Sequence, residues 1–247
     1  RFGFVALTVE TALLLALTLG GGIDALAAWW QARWPALTAG LGLIFSLLLI
    51  SGLVDLPLAW WRQFVIEARF GFNRMTPGLF LADTLKSALL AAVIGAPVIL
   101  AVLWLMAQAR SLWWLYTWVF WCAFNLLILL IYPTWIAPLF NKFAPLEDGE
   151  MKSRIEALLT RCGFRSNGLF VMDGSKRSSH GNAYFTGFGK TKRIVFFDTL
   201  LARLAPPEVE AVLAHELGHF RRRHVVKRIA FMFAAALGLL WLLGQLI

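Results

Sequence analysis

The sequence has 247 residues, of which 60% are hydrophobic and only 15% are charged. A mean hydropathy of +0.71 excludes an ordinary soluble domain of this size and is typical of a protein that crosses the membrane several times. The formal net charge is +9. Because the basic residues concentrate in loops beside apolar segments, they indicate membrane orientation and not nucleic-acid binding. The two cysteines predict no disulfide framework.

Five apolar segments are predicted to cross the membrane, and the fold class is therefore mainly α. Each segment reaches or approaches the roughly 20 residues that a spanning helix needs. In chain order they cover about residues 4–19, 36–60, 87–106, 112–132 and 229 to the end, and the first extends toward residue 30. Tryptophans cluster near the segment ends, as in an interfacial belt.

The distribution of Lys and Arg predicts the orientation of these segments. The loop between the second and third segments carries four basic residues, and residues 142–228 carry sixteen. The opposite loops hold only Arg33 and Arg110. The positive-inside rule therefore places the long polar region on the cytoplasmic side.

Two carboxylates, Glu10 and Asp55, fall within or near the predicted spans. An ionised side chain is costly in hydrocarbon, so we expect each to face protein, a water-filled space or a span boundary. Alternatively, Asp55 lies at the end of a span, since Pro57 and the interfacial residues Trp60 and Trp61 follow it closely.

The polar region after residue 132 predicts a small mixed α and β structure. An amphipathic helix over residues 151–162 would turn Ile155, Leu158 and Leu159 inward. Strand-like segments follow at residues 168–172, 183–185 and 193–197, with a Gly- and Ser-rich loop before the second. An edge strand of such a sheet can hold an extended peptide by backbone pairing.

The segment His215-Glu216-Leu217-Gly218-His219 has the pattern H-E-x-x-H. On a helix, His215 and His219 lie on one face about one turn apart, so both imidazoles can bind one metal ion. Glu216 is rotated away and can reach a water molecule at the metal. This arrangement is typical of zinc hydrolases, with two nitrogen ligands and a carboxylate base.

The helix that carries this motif is well signalled by its sequence. It begins with two prolines at 206–207, and Glu208 and Glu210 lie near the positive end of its dipole. Apolar residues repeat every four positions and predict a buried face separate from the histidines. They are Val209, Leu213 and Leu217.

A serine hydrolase is the alternative for the loop at residues 173–182, which contains Ser178, Ser179, His180 and Asp173. No G-x-S-x-G elbow surrounds either serine, and sequence neighbours seldom form a triad. We interpret His180 as a loop residue beside the substrate strand and a candidate substrate contact. Nucleotide binding by residues 174–176 is disfavoured because the first glycine of a P-loop is absent.

A catalytic zinc needs a third protein ligand, and the helix does not supply one. Glu208 lies about 10 Å along the helix axis from His215, and His224 falls off the ligand face if the helix continues. A longer motif with a third histidine six residues after His219 fails, since that position holds Val225.

No Asp or Glu follows Glu216 in the sequence. We therefore expect the third ligand outside this chain, unless an upstream carboxylate such as Asp173 or Asp198 folds in.

Four further segments, together with the helix, resemble the type I CAAX prenyl proteases, which are integral-membrane zinc metallopeptidases. The segments are ARFGFNR at 68–74, PLFNKF at 138–143, DGSKRSSHGNAYF at 173–185 and RIVFFDTL at 193–200. The resemblance covers nearly the whole chain, in what we interpret as a bacterial form. It implies seven transmembrane helices around a water-filled chamber, of which the first and last are expected to be absent here.

The same resemblance implies the roles of individual residues. His215 and His219 would bind Zn²⁺, Glu216 would be the catalytic acid and base, and Asn182-Ala183 would bind the substrate backbone. The third ligand would be a Glu after the last transmembrane helix, beyond residue 247. We expect the chain to be a fragment, since it begins with Arg and ends within an apolar segment.

The leading hypothesis is a membrane-embedded zinc endopeptidase of a bacterial inner membrane, acting on C-terminal or membrane-associated peptide or protein substrates. Its expected organisation is a transmembrane region at 1–132 with a cytoplasmic loop at 61–86, a cytoplasmic metallopeptidase region at 133–228 and a transmembrane helix at 229–247. A non-catalytic membrane module with an incomplete zinc site and a polytopic transporter are the alternatives.

Overall fold

The computed structural model describes residues 2–164, 166–186, 193–221 and 224–246, without the side chains of residues 110, 219–221 and 224. The chain divides into two compact units. One unit comprises Arg1–Asn73 with Pro77–Arg110, and the other comprises Arg74–Thr76 with Ser111–Ile247. Each unit is described by itself.

The first unit is helical. Its elements are α1 (Phe2–Thr18), α2 (Gly22–Gln31), α3 (Ala36–Trp61), a π-helical continuation of α3 (Arg62–Glu67) and α4 (Pro77–Gln108). Helices α1 and α2 meet at 51°, across a break where Gly21 has a φ of 72°. A side chain disfavours this left-handed conformation, so glycine permits the bend.

Helix α4 begins ten residues earlier than its apolar segment predicts. Pro77 fits the first turn of a helix, and Asp83 and Lys86 are polar but compatible with helical backbone. The hydropathy pattern therefore detects only the apolar part of α4 and not its first ten residues. Glu10 and Asp55 are both exposed on this unit, so neither carboxylate lies in its interior.

The second unit combines two apolar helices with a small sheet. Its helices are α5 (Trp113–Ile131), α6 (Glu150–Arg161), α7 (Asp198–Leu201), α8 (Pro206–Arg221) and α9 (His224–Leu246). Its strands are β1 (Phe143–Pro145), β2 (Leu169–Met172), β3 (Ala183–Thr186) and β4 (Arg193–Phe197). A π-helical and a 3₁₀ turn extend α5 to Leu139.

The described residues contain four helices long and apolar enough to cross a membrane, or five spans if α1 and α2 form one broken span. The four are Ala36–Glu67, Pro77–Gln108, Trp113–Leu139 and Val225–Leu246. These segments confirm the prediction of a mainly α, polytopic membrane protein with a small sheet.

Helices α5 and α9 pack closely. The Trp118 indole N–H donates to the Phe233 carbonyl at 2.8 Å. A Cβ placed on Gly244 would lie 2.4 Å from Cδ1 of Trp114 and 3.2 Å from its Cβ. Because the Trp114 Cβ is close as well, rotation of the side chain cannot relieve the overlap, and only glycine fits.

The four strands have the order β1-β2-β4-β3. Strand β2 pairs in parallel with β4, while β1 and β3 pair antiparallel with β2 and β4. The three predicted strands are confirmed. Strand β1 was missed because three residues that include Pro145 give no strand pattern, and proline fits only an edge.

One face of the sheet packs against α6 and α8. Ile194 and Phe196 of β4 are fully buried there, as are Ile155 of α6 and both Val209 and Leu213 of α8. The predicted apolar faces of both helices are therefore confirmed. This core joins the H-E-x-x-H helix to the sheet.

The contact of Gly244 with Trp114 is testable by adding one methyl group. Gly244→Ala should destabilise the protein by about 1–3 kcal/mol, since overpacking displaces helix α5. Gly238→Ala is the matched control on the same helix, because nothing lies within 4 Å of its added Cβ. Thermal unfolding in detergent should show a lower Tm for Gly244→Ala alone; equal Tm values for both variants would contradict the packing.

Candidate active site

Helix α8 presents its two faces as the sequence predicts. It begins at Pro206, and the Glu208 carboxylate accepts the Ala205 N–H at 2.8 Å, which satisfies an amide before the first turn. Its apolar stripe is buried, whereas His215 is exposed and Glu216 is half-buried. His215 therefore faces away from the core.

The helical period explains this direction. Relative to Leu213 at the centre of the buried stripe, His215 is rotated by about 200° and His219 by about 240°. The backbone of His219 lies on α8 one turn after His215, and its side chain lies outside the described part of the chain. An exposed imidazole with a second one turn later is a donor set that fits zinc.

Strand β3 contacts α8 and forms an edge of the sheet. Among the described residues, no strand pairs with its outer side. The Phe197 N–H donates to the Asn182 carbonyl at 2.9 Å, so this antiparallel pair is hydrogen-bonded. The next residue, Ala183, must then direct its N–H and C=O away from β4. A substrate backbone could pair at this position.

The side chain of Asn182 lies at the start of this edge. Its Oδ1 accepts the Ala183 N–H at 2.8 Å. An extended peptide that paired with Ala183 would replace this bond with one to its own carbonyl. Asn182 itself is exposed.

His180 lies two residues before Asn182 and is exposed. Its carbonyl accepts the Thr199 hydroxyl at 2.8 Å, and its N–H donates to Ser178 Oγ at 3.2 Å. The Asp173 carboxylate accepts the Lys142 N–H at 2.8 Å. Ser178 and Asp173 thus bind backbone groups, and these contacts give the serine-hydrolase alternative no support.

The two upstream carboxylates considered as third ligands have other partners. Asp173 binds the Lys142 amide, and Asp198 accepts the N–H and hydroxyl of Ser175 and the N–H of Thr199. Within the described ranges, no group of three His, Cys, Asp or Glu residues is placed to hold a metal. These contacts give neither carboxylate support as a third ligand.

An ion cluster between α6 and α8 was not anticipated from the sequence. Glu210 Oε2 lies 3.0 Å from Arg154, and Oε1 lies 2.7 Å from Arg161. The sequence pattern assigned Glu210 to the helix dipole, whereas its carboxylate joins two helices. Arg154 and Arg161 are seven residues apart and so lie on one face of α6, where both can reach Glu210. This spacing is the sequence signal that could have indicated the cluster.

Tyr184 of β3 lies on the sheet face opposite α8. Its ring packs edge-on against Phe197, and its hydroxyl donates to the Met172 sulfur at 3.9 Å. Burial raises the pKa of the Tyr184 phenol, and the neighbouring Tyr132 adds to the shift. The phenol is therefore neutral at physiological pH. Tyr184 contributes to the packing of the sheet through Phe197 and Met172.

These elements define an integral membrane protein with an H-E-x-x-H helix beside an open sheet edge. Two family profiles match the chain, "CAAX prenyl protease N-terminal, five membrane helices" over residues 1–142 and "Peptidase family M48" over residues 145–247. The chain belongs to the CAAX prenyl protease family of M48 peptidases, as its sequence segments predicted. M48 membership implies a metal cofactor.

Relatives agree with this assignment. CAAX prenyl protease 1 of Saccharomyces cerevisiae is 48% identical over 77% of this chain and 42% of its own length. The human CAAX prenyl protease 1 homolog is 36% identical over 79% of this chain and 52% of its own length. The crystal structure of S. mikatae Ste24p superposes with a TM-score of 0.93 at 37% identity.

That structure matches 99% of this chain and 58% of the Ste24p chain. The chain thus spans about half the length of the curated relatives it matches. Its fold is that of the Ste24p membrane helix bundle.

The Glu210 cluster generates a stability prediction. Glu210→Gln should destabilise the folded protein by about 1–2 kcal/mol, because two guanidinium groups lose a half-buried anionic partner. Glu156→Gln is the control, since that carboxylate is exposed on α6, and it should change stability by less than about 0.5 kcal/mol. Chemical denaturation in detergent measures the difference; indistinguishable unfolding midpoints would show that the cluster contributes nothing.

Proposed function

We propose that this chain forms the catalytic region of a membrane-embedded zinc endopeptidase. The observation that carries the proposal is the juxtaposition of α8, which exposes His215, with edge strand β3, which turns the backbone of Ala183 outward. A peptide paired with β3 would lie next to α8. Membership of peptidase family M48 supports the same activity and does not favour the non-catalytic alternative.

His215 and His219 would hold the metal, which we propose to be one Zn²⁺. The third ligand would come from outside the described residues, and the family resemblance favours a Glu beyond residue 247. When bound, zinc lowers the pKa of a coordinated water and polarises the scissile carbonyl. Imidazole nitrogens with a carboxylate oxygen are ligands that suit this ion.

Glu216 would act as the general base and then as the general acid. It is rotated by about 100° from His215 on α8, so its carboxylate lies beside the metal ligands and not in line with them. It would accept a proton from the attacking water and deliver it to the leaving amine. Its half-buried position would limit competition from solvent.

Residues of the β2–β3 loop and β3 would bind the substrate. Ala183 would pair with the peptide backbone, Asn182 would release the Ala183 N–H and contact the same chain, and His180 would lie beside it. The relatives are named for CAAX prenyl substrates. We propose peptides or proteins with a C-terminal or membrane-associated cleavage site as the substrate class.

The catalytic region would lie on the cytoplasmic side of the membrane. Four basic residues at 62–86 and sixteen at 142–228 support this orientation. We propose residues 133–228 as the cytoplasmic peptidase region, between transmembrane residues 1–132 and 229–247. We propose the bacterial inner membrane as the location because we interpret the sequence as a bacterial form of the family. The relatives named above are eukaryotic.

Glu216→Gln in the full-length protein tests the proposed mechanism. The variant should retain zinc but lose at least about 10³-fold in kcat, since an amide cannot take the proton. Cleavage of a prenylated peptide and of the same peptide without the prenyl group is measured by mass spectrometry. Glu208→Gln is the matched control on α8, because its amide oxygen can still accept the Ala205 N–H.

Undiminished cleavage by Glu216→Gln with zinc retained would contradict the general-base role. Comparison of the two peptides shows separately whether prenylation matters.

Metal binding is tested by His215→Ala in the full-length protein, which would contain the third ligand. Loss of one of two helix ligands should weaken zinc binding by at least about 100-fold, since each ligand contributes much of the binding free energy. Zinc content after dialysis, measured by atomic emission, should fall well below one ion per protein. Exposed His180, replaced by Ala, is the metal-binding control and should leave zinc content unchanged; retention of stoichiometric zinc by His215→Ala would exclude that ligand.

A further inference from the structure

The β2–β3 loop, residues 173–182, precedes the edge strand and is fastened to two other parts of the second unit. At one end, Arg177 donates through Nη1 to Asn141 Oδ1 at 2.8 Å and through Nη2 to the Phe140 carbonyl at 2.5 Å. Its own carbonyl accepts the Arg74 N–H at 3.1 Å. The Arg177 side chain is half-buried. Because two of its guanidinium nitrogens donate to two different acceptors, the bonds restrict the orientation of the loop as well as its position.

The segment that Arg177 binds is the connection between α5 and β1. Next to it, Lys142 and Asp173 exchange two hydrogen bonds, from the Lys142 N–H to the carboxylate and from the Asp173 N–H to the Lys142 carbonyl. The first half of the loop is thereby joined to the end of an apolar helix.

Two further residues of the loop, Ser175 and His180, are fastened to α7. The Thr199 hydroxyl, on a buried side chain, donates to the His180 carbonyl at 2.8 Å. The Asp198 carboxylate accepts the Ser175 N–H at 2.8 Å. The bond at His180 lies two residues before Asn182.

We infer that Arg177 and Thr199 are positioning residues for the substrate strand, an inference that rests on the proposed function. Neither side chain needs to touch the substrate. Together they attach the loop at Arg177 and at His180 and so set where Asn182 and Ala183 begin the open edge. In the described part of the chain, β3 pairs with β4 on one side and packs against α8, and the loop adds a restraint at its N-terminal end.

This arrangement predicts an effect on substrate binding and not on the chemical step. The metal-binding face belongs to α8, whose position depends on the buried core and not on the loop. A displaced loop would misplace Ala183 relative to a peptide but would leave His215 and Glu216 where they are. Peptide affinity and KM should change while kcat and zinc content stay the same.

Thr199→Val is the most direct test, because valine preserves the shape of threonine and removes only the hydroxyl. We expect the Kd and KM of an extended prenylated peptide to rise about three- to tenfold, with kcat within twofold of wild type. Thr199→Ser restores the donor and should restore both constants. The Kd is measured by fluorescence anisotropy in a Glu216→Gln background, so that binding is independent of turnover.

Arg177 provides a second, graded series in the same assay. Arg177→Gln should raise the Kd about tenfold or more, and Arg177→Lys should fall between Gln and wild type, since an ammonium serves as a point charge and not as a fork. Lys176→Gln is the matched control; it removes the same charge from the adjacent, exposed residue and should bind peptide like wild type.

Two results would overturn the inference. One is equal peptide affinity for Thr199→Val and Thr199→Ser together with wild-type binding by Arg177→Gln. The other is a loss confined to kcat or to the folded fraction, with Kd unchanged, which would give these residues a purely structural role. Failure of the wild-type protein to hydrolyse any peptide would instead contradict the proposed function.

Discussion

The packing of α8 against the sheet is the constraint on which the site depends. Val209, Leu213 and Leu217 are buried together, and only one rotational setting of the helix achieves this. The 3.6-residue period then directs His215 outward by about half a turn. Burial of one face therefore determines the direction in which His215 points. The Glu210 ion cluster adds a second attachment between α8 and α6.

The proposed metal-binding helix needs a place for its substrate, and the edge strand beside α8 is the place that we propose. The hydrogen-bonded pair of Asn182 and Phe197 fixes the outward direction of Ala183. Loop residues far apart in sequence hold this edge, with Arg177 bonded to a segment 36 residues earlier. The family-specific segments at 138–143, 173–185 and 193–200 thus meet in three dimensions. All three segments contribute contacts that hold strand β3 in place.

Much of this architecture could be predicted from the sequence, because it depends on periodic burial. The apolar spans, the amphipathic α6, the strands at 183–186 and 193–197 and the two faces of α8 all have a local pattern. Strand β1 has no such pattern, since it is three residues long and contains Pro145. The start of α4 was placed too late because Asp83 and Lys86 interrupt hydropathy without interrupting the helix.

The contacts that complete the site could not be predicted in the same way. Arg177 with Asn141, Thr199 with His180 and Glu210 with two arginines join positions 19 to 56 residues apart. Such pairs follow from the tertiary fold and leave no periodic signal. The roles of His215, Glu216 and His219 remain predictions that the helix geometry supports.

The central claim is that a peptide binds as an added strand on β3, beside the exposed face of α8. A structure of the Glu216→Gln protein with a bound, uncleaved peptide tests it most directly. We predict hydrogen bonds between the peptide backbone and the N–H or C=O of Ala183, with the scissile carbonyl next to His215. A peptide bound away from β3, with the Ala183 N–H still bonded to Asn182, would contradict the claim.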